Sequence, residues 1–193
     1  MKHKSMKALK YSLVSGGLAL LVSSCTSNLA SPVSSATVSS SSSSSSAPSS
    51  RERVIAERVF NLVNSERSRA GKRAMRGHRG LNTLAQKHSN YMGASSQSAN
   101  HFGSENRAQY AYLKYNIENL SEMTYAAPAG TRDPALAAVT AWKSSASHRK
   151  HMLQTWDLTG IGVRVAPGGP TLVTMCVGAQ LTGVPRSVQP IGW

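Results

Sequence analysis

Two histidines, His101 and His148, are the side chains of this sequence best suited to acid–base or metal chemistry. Each follows a run of small polar residues, "SSQSAN" and "KSSAS", which is typical of loops and helix starts where side chains face a cleft. A glutamate within reach holds an imidazole in one tautomer and raises its basicity, which favours general base catalysis. Two imidazoles and a carboxylate can also hold zinc and leave one position open for water.

The carboxylate partner has two candidates, because the dipeptide Glu-Asn occurs twice after His101. Glu105 lies ahead of the helix-like segment "RAQYAYL", whereas Glu118 lies in the β-like segment "NIENL". Two other groups are interpreted as structural. His88 lies on the apolar face of a predicted helix, and Cys176 lies in an apolar β-like run typical of a buried thiol.

The elements that must position these residues lie in the middle of the chain. Apolar residues recur at helical spacing in residues 51–71, 80–94 and 131–145, and a serine precedes a short further helix over 145–153. Residues 158–181 contain two β-rich runs around the turn "APGGP", which predicts a hairpin. Helices first and an antiparallel hairpin last predict the α+β class, with helices packed on a small sheet.

The N-terminus has the features of a bacterial export signal. Residues 1–24 combine a lysine-rich start with the apolar run "YSLVSGGLALLV", which is too short to span a bilayer as a lone helix. The following "LLVSSC" resembles a lipobox, so we expect lipidation of Cys25 and anchoring at the cell envelope, in the outer membrane if the cell has one. The alternative is ordinary cleavage nearby, which would give a secreted protein.

The remaining chain divides into a tether and a domain. Residues 25–50 begin with the lipidated cysteine, and 14 of the 25 residues after it are serine, so this segment is predicted to be a flexible tether. Residues 51–193 form the predicted domain. Removal of residues 1–24 takes four of the 22 cations and none of the eight acids, which leaves a net charge of +10. That charge favours anionic lipid or cell-wall polymers as partners, while export argues against nucleic acid.

Six ordered motifs between Val54 and Gln180 resemble the CAP superfamily, also called the SCP domain. This family contains cysteine-rich secretory proteins, insect venom antigens (antigen 5) and plant pathogenesis-related class 1 proteins, and the likeness is to its short bacterial branch. The motifs are, in order, "VFNLVNSERSRAG", "LNTLAQKHSNYM", "NHFGS", "IENL", "AWKSSASHRKHML" and "TGIGVRV". The resemblance implies an α-β-α sandwich in which a small antiparallel sheet is flanked by helices.

The resemblance also implies which residues line the cleft. His101 and His148 match the two cleft histidines of the family, and Glu118 matches its glutamate, although Ile117 replaces the glycine that precedes it there. Residues 121–133 then form an insertion of unassigned role. The second acid of eukaryotic members corresponds to Ser145, so we expect a His-Glu-His cleft with one carboxylate fewer.

Two functions follow from this resemblance. The first is a monomeric, envelope-anchored binding module whose cleft takes a lipid, a cell-wall polymer or a peptide. The alternative is a metal-assisted hydrolase, a peptidase or esterase, that uses His101 and His148 as base and zinc ligands, with Glu118 orienting them. The missing acid weakens a metal site and general acid–base catalysis alike.

Overall fold

A computed structural model of the protein describes residues 47–182. The predicted export signal, Cys25 and most of the tether lie outside the described residues. Within the described part, no helix has the length and apolar character needed to cross a bilayer. The helices are α1 (Ser50–Arg69), α2 (Arg79–Ser95), α3 (Ser104–Tyr115), α4 (Pro134–Ser144) and α5 (Ala146–Leu153), and the strands are β1 (Arg76–Gly77), β2 (Ile117–Ala127), β3 (Leu158–Val165) and β4 (Thr171–Gln180).

The four strands form one mixed sheet in the order β1-β3-β4-β2. The predicted hairpin is present, since β3 pairs antiparallel with β4, and β2 covers the other side of β4 in the same antiparallel sense. The short β1 adds a parallel contact at the start of β3. The predicted α+β class is therefore confirmed, with β2 as an edge strand.

The sheet is covered by helices on both faces. On one face, α1, α4 and α5 pack against side chains such as Met123 and Met175. On the other, α2 and α3 pack against Ile117, Leu158 and Cys176. Cys176 is fully buried, and burial raises the pKa of its thiol, so it is unreactive, as its apolar setting predicted. The sandwich therefore has two cores separated by the sheet.

The segment predicted as an insertion after Glu118 is mostly strand. Residues 121–127 continue β2 and pair with β4 as far as Thr171, which leaves only 128–133 as a turn before α4. A strand covered on both faces lacks the alternation that marks a half-exposed strand. Met123 and Thr124 are adjacent and both buried, so the sequence pattern did not reveal the pairing.

The end of α1 is tied to the end of α5 by the buried Arg67. Its guanidinium donates to the carbonyl oxygens of Arg73 at 3.0 Å, and of Met152 and Gln154 at 2.8 Å each. Burial lowers the pKa of this arginine. Arg67 therefore holds the fold together and contributes no surface charge.

Helix α2 lies directly on the backbone of β3 because Gly160 and Gly162 have no side chains. A Cβ at Gly160 would overlap the backbone of Leu81 and Asn82, and one at Gly162 would overlap that of Ala85 and Gln86. The close approach lets Asn82 and Gln86 accept hydrogen bonds from the N–H groups of Ile161 and Val163, at 2.9 and 3.1 Å. Beyond the short β1, the outer edge of β3 is thus capped by helix side chains.

The close approach of α2 to β3 predicts that alanine destabilises the fold at Gly160 but not at Gly77. We expect Gly160→Ala to lower the free energy of unfolding by about 3 kcal/mol or more, because overpacking against backbone cannot be relieved by a side-chain rotation. Gly77→Ala is the control, since a Cβ there meets no atom within 4 Å, and it should change stability by less than about 0.5 kcal/mol. Urea unfolding followed by circular dichroism measures both, and equal stabilities would contradict the contact.

Candidate functional site

The buried carboxylate of Glu122 is the centre of the candidate site. Arg107 from α3 donates from Nε to Oε2 at 2.7 Å and from Nη2 to Oε1 at 2.9 Å. The Nδ1 atom of His101 lies 2.9 Å from Oε1, and Nε2 of His88 lies 3.6 Å from the same oxygen. The Glu122 side chain is only 5% exposed. A buried carboxylate is stable only with such partners, so these four residues form one unit.

A bulge in β2 decides which glutamate reaches this unit. Between Glu118 and Ser121, β2 has one residue more than β4, and Asn119 in the bulge has a left-handed φ of 54°. The extra residue reverses the alternation of side chains. Glu118 pairs with Ala179, whereas Glu122 pairs with Cys176. Because Cys176 belongs to the core under α2 and α3, Glu122 faces these helices and Glu118 faces the other side of the sheet.

The structure therefore assigns the partner of His101 to a residue that the sequence did not indicate. Glu118 was predicted, but within residues 47–182 no hydrogen bond or ion pair joins its carboxylate to another group. Glu105 is exposed in the first turn of α3, at the head of the helix predicted there. In a regular strand Glu118 and Glu122 would share a face, so only the bulge separates their roles.

The loop before α3 is held in place by Asn100. Its side-chain oxygen accepts the N–H of Phe102 at 3.1 Å, and its amide donates to Ser96 Oγ and the Ser98 carbonyl at 3.2 Å each. The carbonyl oxygen of Asn100 lies 2.8 Å from Nε2 of His88. His88 is buried, as predicted, and its pKa is lowered chiefly by that burial. This histidine also joins the loop to the Glu122 unit.

The second predicted histidine, His148, approaches from the other face of the sheet. Ser145, which replaces the second acid of the eukaryotic pattern, caps α5 and accepts the backbone N–H of His148 at 3.4 Å. The pKa of His148 is lowered by burial first, and then by the charges of His101 and His151. His101 and His148 are thus close enough to interact across the edge of β2. His151 in turn has its Nδ1 atom 3.0 Å from Ser121 Oγ.

His101 and Glu122 form a histidine–carboxylate pair, but the predicted zinc ligands do not come together. In the part of the chain that the structure describes, no three His, Cys, Asp or Glu side chains converge as metal ligands. The carboxylate of Glu122 is already bound by Arg107 through both oxygens. The predicted zinc set of His101, Glu118 and His148 is therefore not assembled.

A separate cavity of about 580 Å³ lies between α1 and α2 at the edge of β3. Its lining includes Phe60, Asn82, Gln86 and Ile161, and none of the residues around Glu122. Asn82 and Gln86 are already engaged by the backbone of β3. The charged side chains of Arg53, Glu57 and Lys87 also line the cavity, but no histidine of the described residues does, so the Glu122 unit with His101 is the better candidate site.

Sequence reasoning missed Glu122 and Arg107. Arg107 lies one turn into the connecting helix, where a charged residue is usually solvated, and Glu122 lies in the segment interpreted as an insertion. The available signal was Asn119, because asparagine tolerates the left-handed conformation that a bulge requires.

A known protein family matches most of the described residues. The sequence model of the CAP family, described as the cysteine-rich secretory protein family, matches residues 60–178, which is more than half of the chain. No curated protein sequence shows a significant match.

Three solved structures similar to this fold are those of bacterial proteins. An outer surface protein from Borrelia burgdorferi has a TM-score of 0.57 at 15% identity, over 67% of this chain and 95% of that one. An extracellular SCP-domain protein from Bacillus anthracis has a TM-score of 0.53 at 22% identity, over 67% of this chain and 41% of that one. A cysteine-rich secretory protein from Staphylococcus aureus has a TM-score of 0.52 at 16% identity, over 69% and 40%. The chain thus spans about two fifths of the last two proteins.

The ion pair at the centre of the site predicts a strong coupling between two substitutions. We expect Arg107→Met to lower the free energy of unfolding by about 3–5 kcal/mol, because it leaves Glu122 buried without its main partner. Adding Glu122→Gln should restore much of that loss, since an amide needs no counter-charge. Chemical denaturation of both single variants and the double variant gives the coupling energy, and additive losses would argue against the pair.

Proposed function

The chain belongs to the cysteine-rich secretory protein (CAP) family, and we propose that it is a non-catalytic binding module held at the bacterial cell envelope. The similar structures include proteins titled as outer surface, extracellular and secretory. These titles support a location outside the cytoplasm, in agreement with the export signal in residues 1–24. The remaining evidence concerns the cleft, the anchor and the surface charge.

The observation that carries the binding role is the ion pair between Glu122 and Arg107. A carboxylate that itself acts as a general base or a metal ligand needs an oxygen free to take the proton or the metal ion. Arg107 holds both oxygens of Glu122 at hydrogen-bond distance, and removing it would leave a buried, unpaired charge. The cleft therefore offers imidazoles and a neutralised acid, which suits recognition of a ligand better than hydrolysis.

The anchor in this proposal is Cys25, which lies outside the described residues. Each buried CH₂ of an acyl chain contributes about 0.8 kcal/mol, so one chain anchors only marginally and stable attachment needs a second signal. Additional acyl chains on Cys25, or contacts from a basic surface, would supply it. Residues 26–46 would then let the domain reach ligands above the membrane.

The surface charge that would contact an anionic envelope follows the end of α1. We call Lys72, Arg73, Arg76 and Arg79 the basic strip. All four side chains are exposed, and within residues 47–182 none of them forms an ion pair with an acid. Arg58, in contrast, is paired with Asp133 at 2.6 Å. The strip is therefore a source of uncompensated positive charge for phosphate or carboxylate groups of lipids and wall polymers.

The basic strip predicts salt-sensitive attachment. We expect the chain from residue 25, with Cys25→Ser to remove the anchor, to sediment with isolated envelopes at about 0.05 M salt and to be released at about 1 M, where exposed charges are screened. Replacing the four strip residues by serine should lower binding at low salt at least about tenfold.

The matched control removes the same charge elsewhere. Lys87, Lys114, Arg132 and Lys150 are also exposed and lie on other elements, so their replacement by serine leaves the same net charge without touching the strip. Equal losses for both quadruple variants would show that net charge alone is responsible. Binding that does not change with salt concentration would contradict the electrostatic part of the proposal.

The anchor has its own test in the full-length protein. We expect wild-type protein expressed in a bacterial host to fractionate with membranes even at high salt, and to partition into the detergent phase. Cys25→Ser should move it to the soluble fraction at high salt, because the apolar anchor is lost. Retention of the variant in the detergent phase would show that another segment attaches the protein.

A further inference from the structure

The loop that carries His101 also presents an aromatic ring to solvent. Phe102 is 70% exposed, yet it stacks on Tyr91 with ring centroids 5.3 Å apart and planes 20° apart. Tyr91 stacks in turn on the buried His88, at 6.0 Å and 15°. We call these three residues the aromatic ladder. It runs from the Glu122 unit to the surface and leaves the outer face of Phe102 without an aromatic partner among the described residues.

The position of Phe102 is fixed by its loop. Its backbone N–H is held by Asn100, and its carbonyl oxygen accepts a hydrogen bond from Arg107 at 2.9 Å. Arg107 is itself bound to Glu122. Single exposed apolar side chains are common on protein surfaces, but Phe102 stacks on a second ring and its backbone is held at both the N–H and the carbonyl oxygen. A pre-organised ring reduces the entropy that a ligand must lose on binding.

The polar group beside this ring is the imidazole of His101. Its Nδ1 atom faces Glu122, so Nε2 is the nitrogen left for a ligand, and the side chain is 48% exposed. Depending on its proton, that nitrogen donates or accepts a hydrogen bond. The neighbouring carboxylate and guanidinium neutralise each other. The surface therefore combines a flat apolar face with one adaptable hydrogen-bonding edge and little net charge.

We propose that Phe102 and His101 form a platform for a pyranose ring of an envelope glycan. A pyranose has an apolar face of C–H groups, which packs on an aromatic ring, and a rim of hydroxyl groups, which need a hydrogen-bonding partner. The platform offers both. The inference rests on the proposed function, because it takes the cleft as a binding site, and it adds a neutral ligand to the anionic polymers that the basic strip would contact.

The experiment uses an uncharged probe, a β-1,4-linked N-acetylglucosamine tetrasaccharide. It is titrated into the chain from residue 25 carrying Cys25→Ser, and the imidazole resonances of His101 and the aromatic resonances of Phe102 are followed by NMR. We expect saturable shifts of both at millimolar or lower concentration. Phe102→Ala should weaken binding about five- to tenfold, the range expected for one lost ring contact.

Two further variants separate stacking from general hydrophobicity. Phe102→Leu keeps an apolar side chain without a flat face and should bind as weakly as Phe102→Ala, whereas Phe102→Tyr should bind like the wild type. Leu113→Ala is the control, since Leu113 is 64% exposed on α3 and should leave binding unchanged. Binding by Phe102→Leu equal to that of the wild type would overturn the stacking role, and no saturable shift in the wild type would overturn the proposal.

The test also separates this inference from the proposed function. Binding of an uncharged sugar should persist at about 1 M salt, where attachment through the basic strip is screened. Loss of envelope attachment with intact sugar binding would contradict only the electrostatic proposal. Phe102-dependent capture by neutral phosphatidylcholine vesicles, without sugar binding, would show that Phe102 enters a membrane and would overturn the glycan platform.

Discussion

The burial of one carboxylate, Glu122, sets the geometry of the whole cleft. Moving an ionised group out of water costs several kcal/mol, and only close, well-oriented partners offset that cost. Arg107 supplies a fork that matches both oxygens, while His88 and His101 surround one of them. These partners come from α3, from α2 and from the loop between them, so a single acid on an edge strand fixes the relative placement of three segments. Displacing any one of them would leave a charge buried without compensation.

A second constraint holds α2 close to β3, so that His88 on α2 reaches Glu122. Gly160 and Gly162 let the helix rest on the backbone of β3. The Ser89 hydroxyl adds a hydrogen bond to the Gly162 carbonyl oxygen at 2.9 Å, and its Oγ also lies 2.9 Å from the Thr174 hydroxyl. With α2 held at this distance, His88 reaches the Glu122 unit and Tyr91 reaches the loop above it. The "TGIGVRV" motif thus acts on the cleft through packing, although none of its residues lies there.

Much of the fold follows from local patterns. The helical spacing of Ile55 and Val59, the Asp133–Pro134 helix start and the turn between β3 and β4 each specify structure within one short segment. The site depends on contacts between residues far apart in the sequence. A bulge around Asn119 places Glu118 and Glu122 on opposite faces of the sheet. Because β2 is buried on both sides, its sequence lacks the alternation that would have predicted its pairing with β4. His101 could be selected from its loop, but its partner could be identified only when the register of β2 was known.

The two sides of β2 carry different histidines. His101 belongs to the face of α2 and α3, and His148 to α5, so the edge strand separates two groups of imidazoles that still affect each other electrostatically. The only carboxylate shown to contact them by an ion pair within residues 47–182 is neutralised by Arg107, which leaves the cleft with little net charge near neutral pH. The basic strip after α1 carries exposed cations that form no ion pair within residues 47–182. In the proposed function, long-range attraction to an anionic envelope and short-range recognition in the cleft therefore fall to different surfaces.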